Sequence, residues 1–123
     1  MSVYVIAEVG PNHNGSEKIA ISMIEQLSET GADAVKFQLG TAASVYSKDA
    51  FKANYQIRDS GDTSPVKMTN SHQLPAESHP PLADVCRSNG VEYLCTAFDL
   101  DSLEYLDKTL NLRAFKIPSG EVL

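Results

Sequence analysis

The residues that carry the most chemistry lie together near the end of the sequence, in Lys116-Ile117-Pro118-Ser119-Gly120-Glu121. An apolar segment ends here in a cation, a hydroxyl, a glycine and a carboxylate. The lysine, the hydroxyl and the N–H groups around Gly120 are donors suited to a phosphate or a carboxylate. A core strand does not need this combination, whereas an anion-binding catalytic site does.

Similar groups of polar residues follow three earlier apolar segments. These groups are Glu8 with Asn12 and His13, Lys36 with Gln38, and Thr96 with Phe98 and Asp99. In α/β sheets and barrels, ligands bind at the carboxyl ends of the strands. Four such strand ends in succession therefore predict an enzyme with an anionic substrate.

Lys36 and Gln38 are two residues apart, so both lie on one face of a strand. A lysine inside a barrel is costly without a counter-ion, and Glu8 or a bound phosphate is the natural partner. Structural interpretations also exist for single residues: a Lys–Glu pair that only stabilises the fold, His13 as a brace for its turn, and Thr96 as an ordinary strand residue.

The elements that must position these residues alternate between strands and helices. Val3–Val9 and Ala34–Leu39 are predicted strands. Between them we predict a helix that Asn14 or Ser16 caps and Gly31 ends. One face of this helix carries Ile19, Met23, Ile24 and Leu27. This βαβ unit is expected to be parallel and right-handed.

The region from Gly40 to about Pro81 is polar, and we interpret it as a substrate-covering insertion with short helical pieces. His72 and His79 are predicted to be solvated loop residues there. The elements predicted after it are a helix around 82–86 that stops at Asn89-Gly90, a strand at 91–95, a helix capped by Asp101 or Ser102 that runs through Leu110, and a fourth strand at 114–117. Cys86 and Cys95 are predicted to be small buried residues.

Parallel strands joined by crossovers indicate a doubly wound sheet or a (β/α) barrel. Because a complete barrel needs about 250 residues, we predict that residues 1–123 form the first four units of a (β/α)8 TIM-type barrel. The net charge of −6 gives no basic surface for nucleic acid or membranes. With no apolar run of about 20 residues and no leader pattern, a cytoplasmic protein is expected.

Four segments closely resemble the sialic acid synthase family, which comprises N-acetylneuraminate synthase and related nonulosonic acid synthases. The segments are Ile6–Ser16, Gly31–Gln38, Thr96–Asp99 and Phe115–Glu121. A weaker signal, Lys52–Gln56, is more similar to the N-acetylneuraminate and legionaminate synthases than to the pseudaminate branch. The resemblance spans the whole chain in order and implies a TIM barrel followed by a small C-terminal antifreeze-like domain.

The resemblance also implies a reaction and a set of residue roles. Phosphoenolpyruvate condenses with an N-acetylmannosamine-type amino sugar, phosphate is released, and a divalent metal (Mn or Mg) assists. The implied catalytic residues are Glu8, Glu121 and Lys36. The implied substrate-binding residues are Lys116 and Ser119 for the phosphate, Gln38 for the sugar, Thr96, and Asn12 and His13 at the floor of the site.

The histidine metal ligands of the family belong to later strands, so no metal ligand is assigned in this chain. By the same resemblance we expect this chain to lack the rest of the barrel and the antifreeze-like domain. The chain is therefore expected to have a partial phosphoenolpyruvate site and no turnover alone, and a homodimer is expected. Two alternatives remain: a Schiff-base aldolase that uses Lys36 or Lys116, and a non-catalytic half-barrel that binds a sugar phosphate or assembles with a complementary chain.

Overall fold

A computed structural model describes residues 3–41 and 65–122 of the chain. Three strands, β1 (Ile6–Glu8), β2 (Ala34–Leu39) and β3 (Glu92–Ala97), form a parallel sheet in the order β1-β2-β3. The helices of this part of the chain are α1 (Glu17–Ser28), α2 (Pro65–His72), α3 (His79–Ser88) and α4 (Leu100–Leu110), with 3-10 turns at Ala76–Ser78 and Ser119–Glu121. The predicted parallel βαβ arrangement is confirmed.

The two faces of the sheet differ in chemistry. Val35, Phe37 and Leu39 of β2 belong to the main hydrophobic cluster, which also contains buried residues of α1, α3 and α4. Lys36 and Gln38 alternate with them and therefore point to the opposite face. Since those helices pack on the apolar face, the polar side chains of β2 share a face that these helices leave uncovered.

The helices begin and end for identifiable reasons. The Ser16 hydroxyl accepts a hydrogen bond from the backbone N–H of Ile19 and so caps α1, as predicted. The helix ends at Ser28 with Glu29 as its cap, and Gly31 follows at φ +83°. Of the predicted apolar face of this helix, Ile24 is buried and Met23 and Leu27 pack against the core, whereas Ile19 is 43% exposed.

Several predicted boundaries are also corrected. β1 is restricted to Ile6–Glu8. The fourth strand reduces to a single parallel bridge between Thr96 and Lys116. The cap of α4 is Asp99, since its carboxylate accepts from the N–H of Ser102. The predicted stop of α3 at Asn89-Gly90 is confirmed, with Gly90 at φ +72°.

The prediction for the two histidines of the 40–81 region is wrong. His72 ends α2, and His79 begins α3 and is completely buried. Pro80 and Pro81 directly follow His79 and are favourable in the first turn of a helix, which explains why a loop does not form there. Residues 42–64 of the predicted insertion, including Lys52–Gln56, lie outside the described residues. Within the described ranges, no helix is both long and apolar enough to cross a membrane.

Candidate active site

The centre of the polar face is an ion pair between Glu8 of β1 and Lys36 of β2. The parallel register places these two residues directly side by side. Lys36 is buried and its Nζ lies 3.4 Å from the Thr96 hydroxyl. The Glu8 side chain remains 46% exposed, so this carboxylate can still face a ligand. The structure thus brings Glu8, Lys36 and Thr96 together.

Gln38 extends this group through the tight turn after β1. Gly10 has φ +50°, and a Cβ placed on it would lie 3.0 Å from Glu8 Oε1 and 3.2 Å from Gln38 Nε2. The backbone therefore approaches the carboxylate and the amide as closely as only a glycine allows. The backbone N–H groups of Val9 and Gly10 both donate to the Lys36 carbonyl, at 2.9 and 3.2 Å, which fixes this approach.

Lys116 lies one strand further along the same face. Gln38 pairs with Thr96 and Thr96 forms the bridge to Lys116, so the three side chains point to one side of the sheet. Lys116 is exposed and lines an open groove of about 430 Å³ with Phe98, Phe115 and other residues. The groove is lined mainly by apolar side chains and contains neither Lys36 nor Glu8.

The remaining predicted residues occupy three different environments. Ser119 is exposed in the 3-10 turn after Lys116. The side chain of Glu121 lies outside the described part of the structure. Asn12 is exposed in the turn after β1, where its N–H donates to the carbonyl of Val9.

His13 faces the hydrophobic core. It is 2% exposed, its Nδ1 accepts from the N–H of Gly15 at 3.1 Å, and its ring stacks on Phe37 at 6.1 Å. Because Nδ1 accepts, the neutral ring carries its proton on Nε2. Burial lowers the pKa of His13, and the nearby charge of His72 lowers it further. The ring thus holds the turn in place from the core side, as in the structural interpretation of this residue.

Two features of the site were not predicted from the sequence. The close approach of Gly10 was not recognised, although Gly10-Pro11 is a typical turn signal. Asp99 was assigned only to a polar strand end, whereas its carboxylate caps α4 and accepts from the N–H of Thr41 at 3.0 Å. An aspartate directly before a helical pattern is the signal that could have identified the cap.

The described residues do not fit a metal site. No group of three or more His, Cys, Asp or Glu side chains comes together among them in a way that could hold an ion. His13 and His79, the two most buried histidines, are engaged with the Gly15 N–H and the Tyr93 hydroxyl. We therefore assign no chemical step to a metal held by these residues.

A parallel sheet with helices on one face and a lysine–glutamate pair on the other defines the class as an α/β fold with an ionic sheet face. Comparisons with known proteins agree with this class. The profile of the NeuB family matches residues 23–123. The chain therefore belongs to the NeuB family.

Relatives with named activities cover nearly the whole chain. It is 37% identical to the N,N'-diacetyllegionaminic acid synthase of Legionella pneumophila over 99% of its length, and 40% identical to that of Campylobacter jejuni over 96%. It is also 40% identical to the spore coat polysaccharide biosynthesis protein SpsE of Bacillus subtilis over 98%. The chain spans 34%, 35% and 31% of these relatives, about a third of each.

Solved structures show the same fold. The N-acetylneuraminic acid synthetase of Leptospira borgpetersenii superimposes with a TM-score of 0.79 at 21% identity, over 95% of this chain and 36% of that protein. SpsE of Bacillus subtilis superimposes with a TM-score of 0.67 at 39% identity, over 94% of this chain and 29% of that protein.

Proposed function

We propose that this chain forms the phosphoenolpyruvate-binding part of a nonulosonic acid synthase. Such an enzyme condenses phosphoenolpyruvate with an N-acetylmannosamine-type amino sugar and releases phosphate. The observation that carries the proposal is the contact of Lys36 with both Glu8 and Thr96 on the open face of the sheet, with Lys116 on the adjacent strand position. The synthase names of the relatives in Legionella and Campylobacter support it.

The proposed fold of the whole enzyme is a (β/α)8 barrel. Strands in sequence order and helices packed on one face are features of barrels, whereas doubly wound sheets reverse their strand order and carry helices on both faces. In a barrel the face with Lys36 is the interior, and its carboxyl end is where substrates bind.

The geometry supports distinct roles for the two lysines. Lys116 and Ser119, three residues apart in the sequence, are both exposed, and both could contact the phosphate of phosphoenolpyruvate. Lys36 is held by Glu8 and Thr96 and is suited to the carboxylate, since its position is fixed before the substrate arrives. Gln38, two residues further along the strand, would contact the amino sugar.

The carboxylates would act on the charge that develops during the reaction. When the enol attacks the aldehyde, positive charge grows at C2 of phosphoenolpyruvate and water then adds there. A carboxylate facing that carbon stabilises the charge, and the half-exposed Glu8 is placed to do so. Glu121 would orient the water or take its proton. Asn12 and His13 would shape the floor, with His13 acting from the core side of the turn.

The divalent metal, the homodimer and the cytoplasmic location implied by the resemblance remain predictions. Residues other than those described would have to hold the metal. Of the alternatives, the Schiff-base aldolase is supported less well. Lys36 is paired with a carboxylate, whereas a nucleophilic lysine is activated in an apolar pocket or beside another cationic group.

Calorimetric titration of the chain with phosphoenolpyruvate tests the proposal. We expect Lys36→Met and Lys116→Met each to weaken binding about tenfold or more, because each removes a charge-assisted contact to the ligand. Lys18→Met is the matched control, since Lys18 is an exposed residue of α1 away from this face. Equal affinity in all three variants would contradict the proposal.

A second experiment tests the reaction in a longer protein that contains this chain. Phosphate release from phosphoenolpyruvate should require both an N-acetylmannosamine-type amino sugar and a divalent metal. Release without the sugar would contradict the condensation. Borohydride trapping of a substrate on Lys36 or Lys116 would instead support the aldolase.

A further inference from the structure

Asp99 joins two segments that enter the site from different strands. Its Oδ1 accepts from the N–H of Ser102 at 2.7 Å and caps α4. Its Oδ2 accepts from the N–H of Thr41 at 3.0 Å. One carboxylate therefore connects the start of a helix after β3 to the backbone that has just left β2.

The backbone leaving β2 also packs tightly against the residue before Asp99. The N–H of Phe98 donates to the carbonyl of Leu39 at 2.9 Å. A Cβ placed on Gly40 would lie 2.7 Å from the Cβ of Phe98 and 3.5 Å from Asp99 Oδ2. Only a glycine fits this contact without movement of its neighbours. The backbone at Gly40 and Thr41 therefore packs closely against Phe98 and Asp99.

This junction borders the groups proposed to bind substrate. Phe98 and Asp99 line the groove that contains Lys116. Gln38 lies two residues before Gly40, and Thr96 lies two residues before Phe98. Short, hydrogen-bonded backbone therefore links the junction to Gln38 and Thr96.

We infer that Asp99 is a positioning residue of the site: by joining Thr41 to the start of α4, its carboxylate fixes Phe98 as a wall of the groove next to Lys116. The inference rests on the proposed function, because that function assigns Lys116, which lines the groove, to the phosphate of phosphoenolpyruvate. An Asp99 that only capped α4 would have the same Ser102 contact and no effect on the ligand.

Asp99→Asn separates the contact with Ser102 from the contact with Thr41. The amide oxygen can still accept from Ser102, since Asn is as good a helix cap as Asp, but the amide nitrogen cannot accept from Thr41. We expect amide hydrogen exchange at Thr41 to become about tenfold faster, because its N–H loses one hydrogen bond. Exchange at Ser102 should stay within about twofold, because its hydrogen bond is kept. Phosphoenolpyruvate affinity should fall about fivefold.

Ser16→Ala is the matched control, because it removes the cap of α1 without touching the junction. Ser16→Ala should lower the free energy of unfolding as much as the loss of other helix caps does. Its affinity for phosphoenolpyruvate should stay within about twofold of that of the unsubstituted chain. The inference is overturned if Asp99→Asn leaves exchange at Thr41 unchanged. An equal loss of affinity in Ser16→Ala would also overturn it.

The two proposals fail in different ways. If the unsubstituted chain does not bind phosphoenolpyruvate, the proposed function fails on its substrate. Exchange at Thr41 in Asp99→Asn then still decides whether the carboxylate holds the two segments together.

Discussion

His79 shows how strongly the environment of a single side chain determines its chemistry. It is completely buried, its Nδ1 lies 2.5 Å from the Tyr93 hydroxyl, and its Nε2 has no hydrogen-bond partner among the described residues. Burial lowers the pKa of His79 from 6.5 to about 4, with a smaller contribution from His13. The folded chain therefore keeps this ring neutral at pH values where the unfolded chain protonates it.

The stability of the chain should consequently depend on pH. Between pH 6.5 and about 4 the unfolded state binds one more proton at His79 than the folded state, so the stabilisation is complete above pH 6.5 and decreases as the pH falls. The full loss amounts to about 3 kcal/mol. Urea unfolding at about pH 7.5 and about pH 5 measures most of it.

Nuclear magnetic resonance provides the control for this pH dependence. The ring signals of His79 should titrate near pH 4. A midpoint near 6.5 for His79 would contradict the prediction, even if the stability decreased for other reasons.

The two cysteines give a second prediction at the level of single residues. Cys86 and Cys95 are buried and unpaired, and burial raises the pKa of each thiol to about 12. Since the thiolate is the reactive form, both should resist iodoacetamide at about pH 8 in the folded chain and react quickly in urea. Rapid labelling without urea would contradict this, and mass spectrometry after proteolysis distinguishes the two sites.

At the level of elements, the contact between the end of β2 and the end of β3 is the tightest constraint near the site. A Cβ on Gly40 would meet the Cβ of Phe98 at 2.7 Å, whereas a Cβ on Gly120 meets nothing within 4 Å. Gly40→Ala should therefore lower the free energy of unfolding by about 1–3 kcal/mol, as overpacking does. Gly120→Ala should lower it by about 1 kcal/mol less than Gly40→Ala does, or leave it unchanged. Urea unfolding of both variants tests this, and equal stabilities would contradict it.

The elements themselves could be predicted well from local patterns. The strand at Ala34–Leu39 and the end of α3 at Asn89-Gly90 agree with the structure, because apolar periodicity and glycine act over a few residues. The failure concerns the environment of a side chain, since His79 lies in a polar region of the sequence yet becomes buried. Packing between distant elements determines that burial, and local sequence does not contain this information.

The candidate site also combines features that the sequence predicts with features that it does not. The grouping of Glu8 with Lys36 could be predicted, because parallel strands place their carboxyl ends at one edge. The inward orientation of His13 could not, since a turn residue can point to either side of the backbone. The capping role of Asp99 was missed because three candidates within four residues, Asp99, Asp101 and Ser102, fit the cap pattern.

At the level of the whole molecule, apolar side chains remain exposed at both edges of the sheet. At one edge, Val3 before β1 and Ile6 in β1 are 83% and 46% exposed; at the other, Leu100 and Ile117 are 81% and 67% exposed. Exposed strand edges and apolar patches favour association. The chain spans about a third of its relatives, in which further residues are available to cover such surfaces.

We therefore expect the purified chain to self-associate in a concentration-dependent manner. Val3→Lys should reduce association if the β1 side is the contact, and Leu100→Lys should reduce it if the α4 side is. Both positions are more than 80% exposed, so neither change should lower the stability of the folded monomer by more than about 0.5 kcal/mol. Sedimentation velocity over a range of concentrations measures the effect, and a monomer at all concentrations would contradict it.

The opposite chemistry of the two sheet faces has an evolutionary consequence. Along β2 the two sets of residues alternate. Val35, Phe37 and Leu39 maintain the dry interior, and the residues between them maintain the ionic surface. Under the proposed function, mutations that alter ligand preference can thus accumulate at Lys36 and Gln38 while Val35, Phe37 and Leu39 stay unchanged. A saturation scan of this strand scored separately for abundance and for ligand binding should give two interleaved patterns, each with a period of two residues.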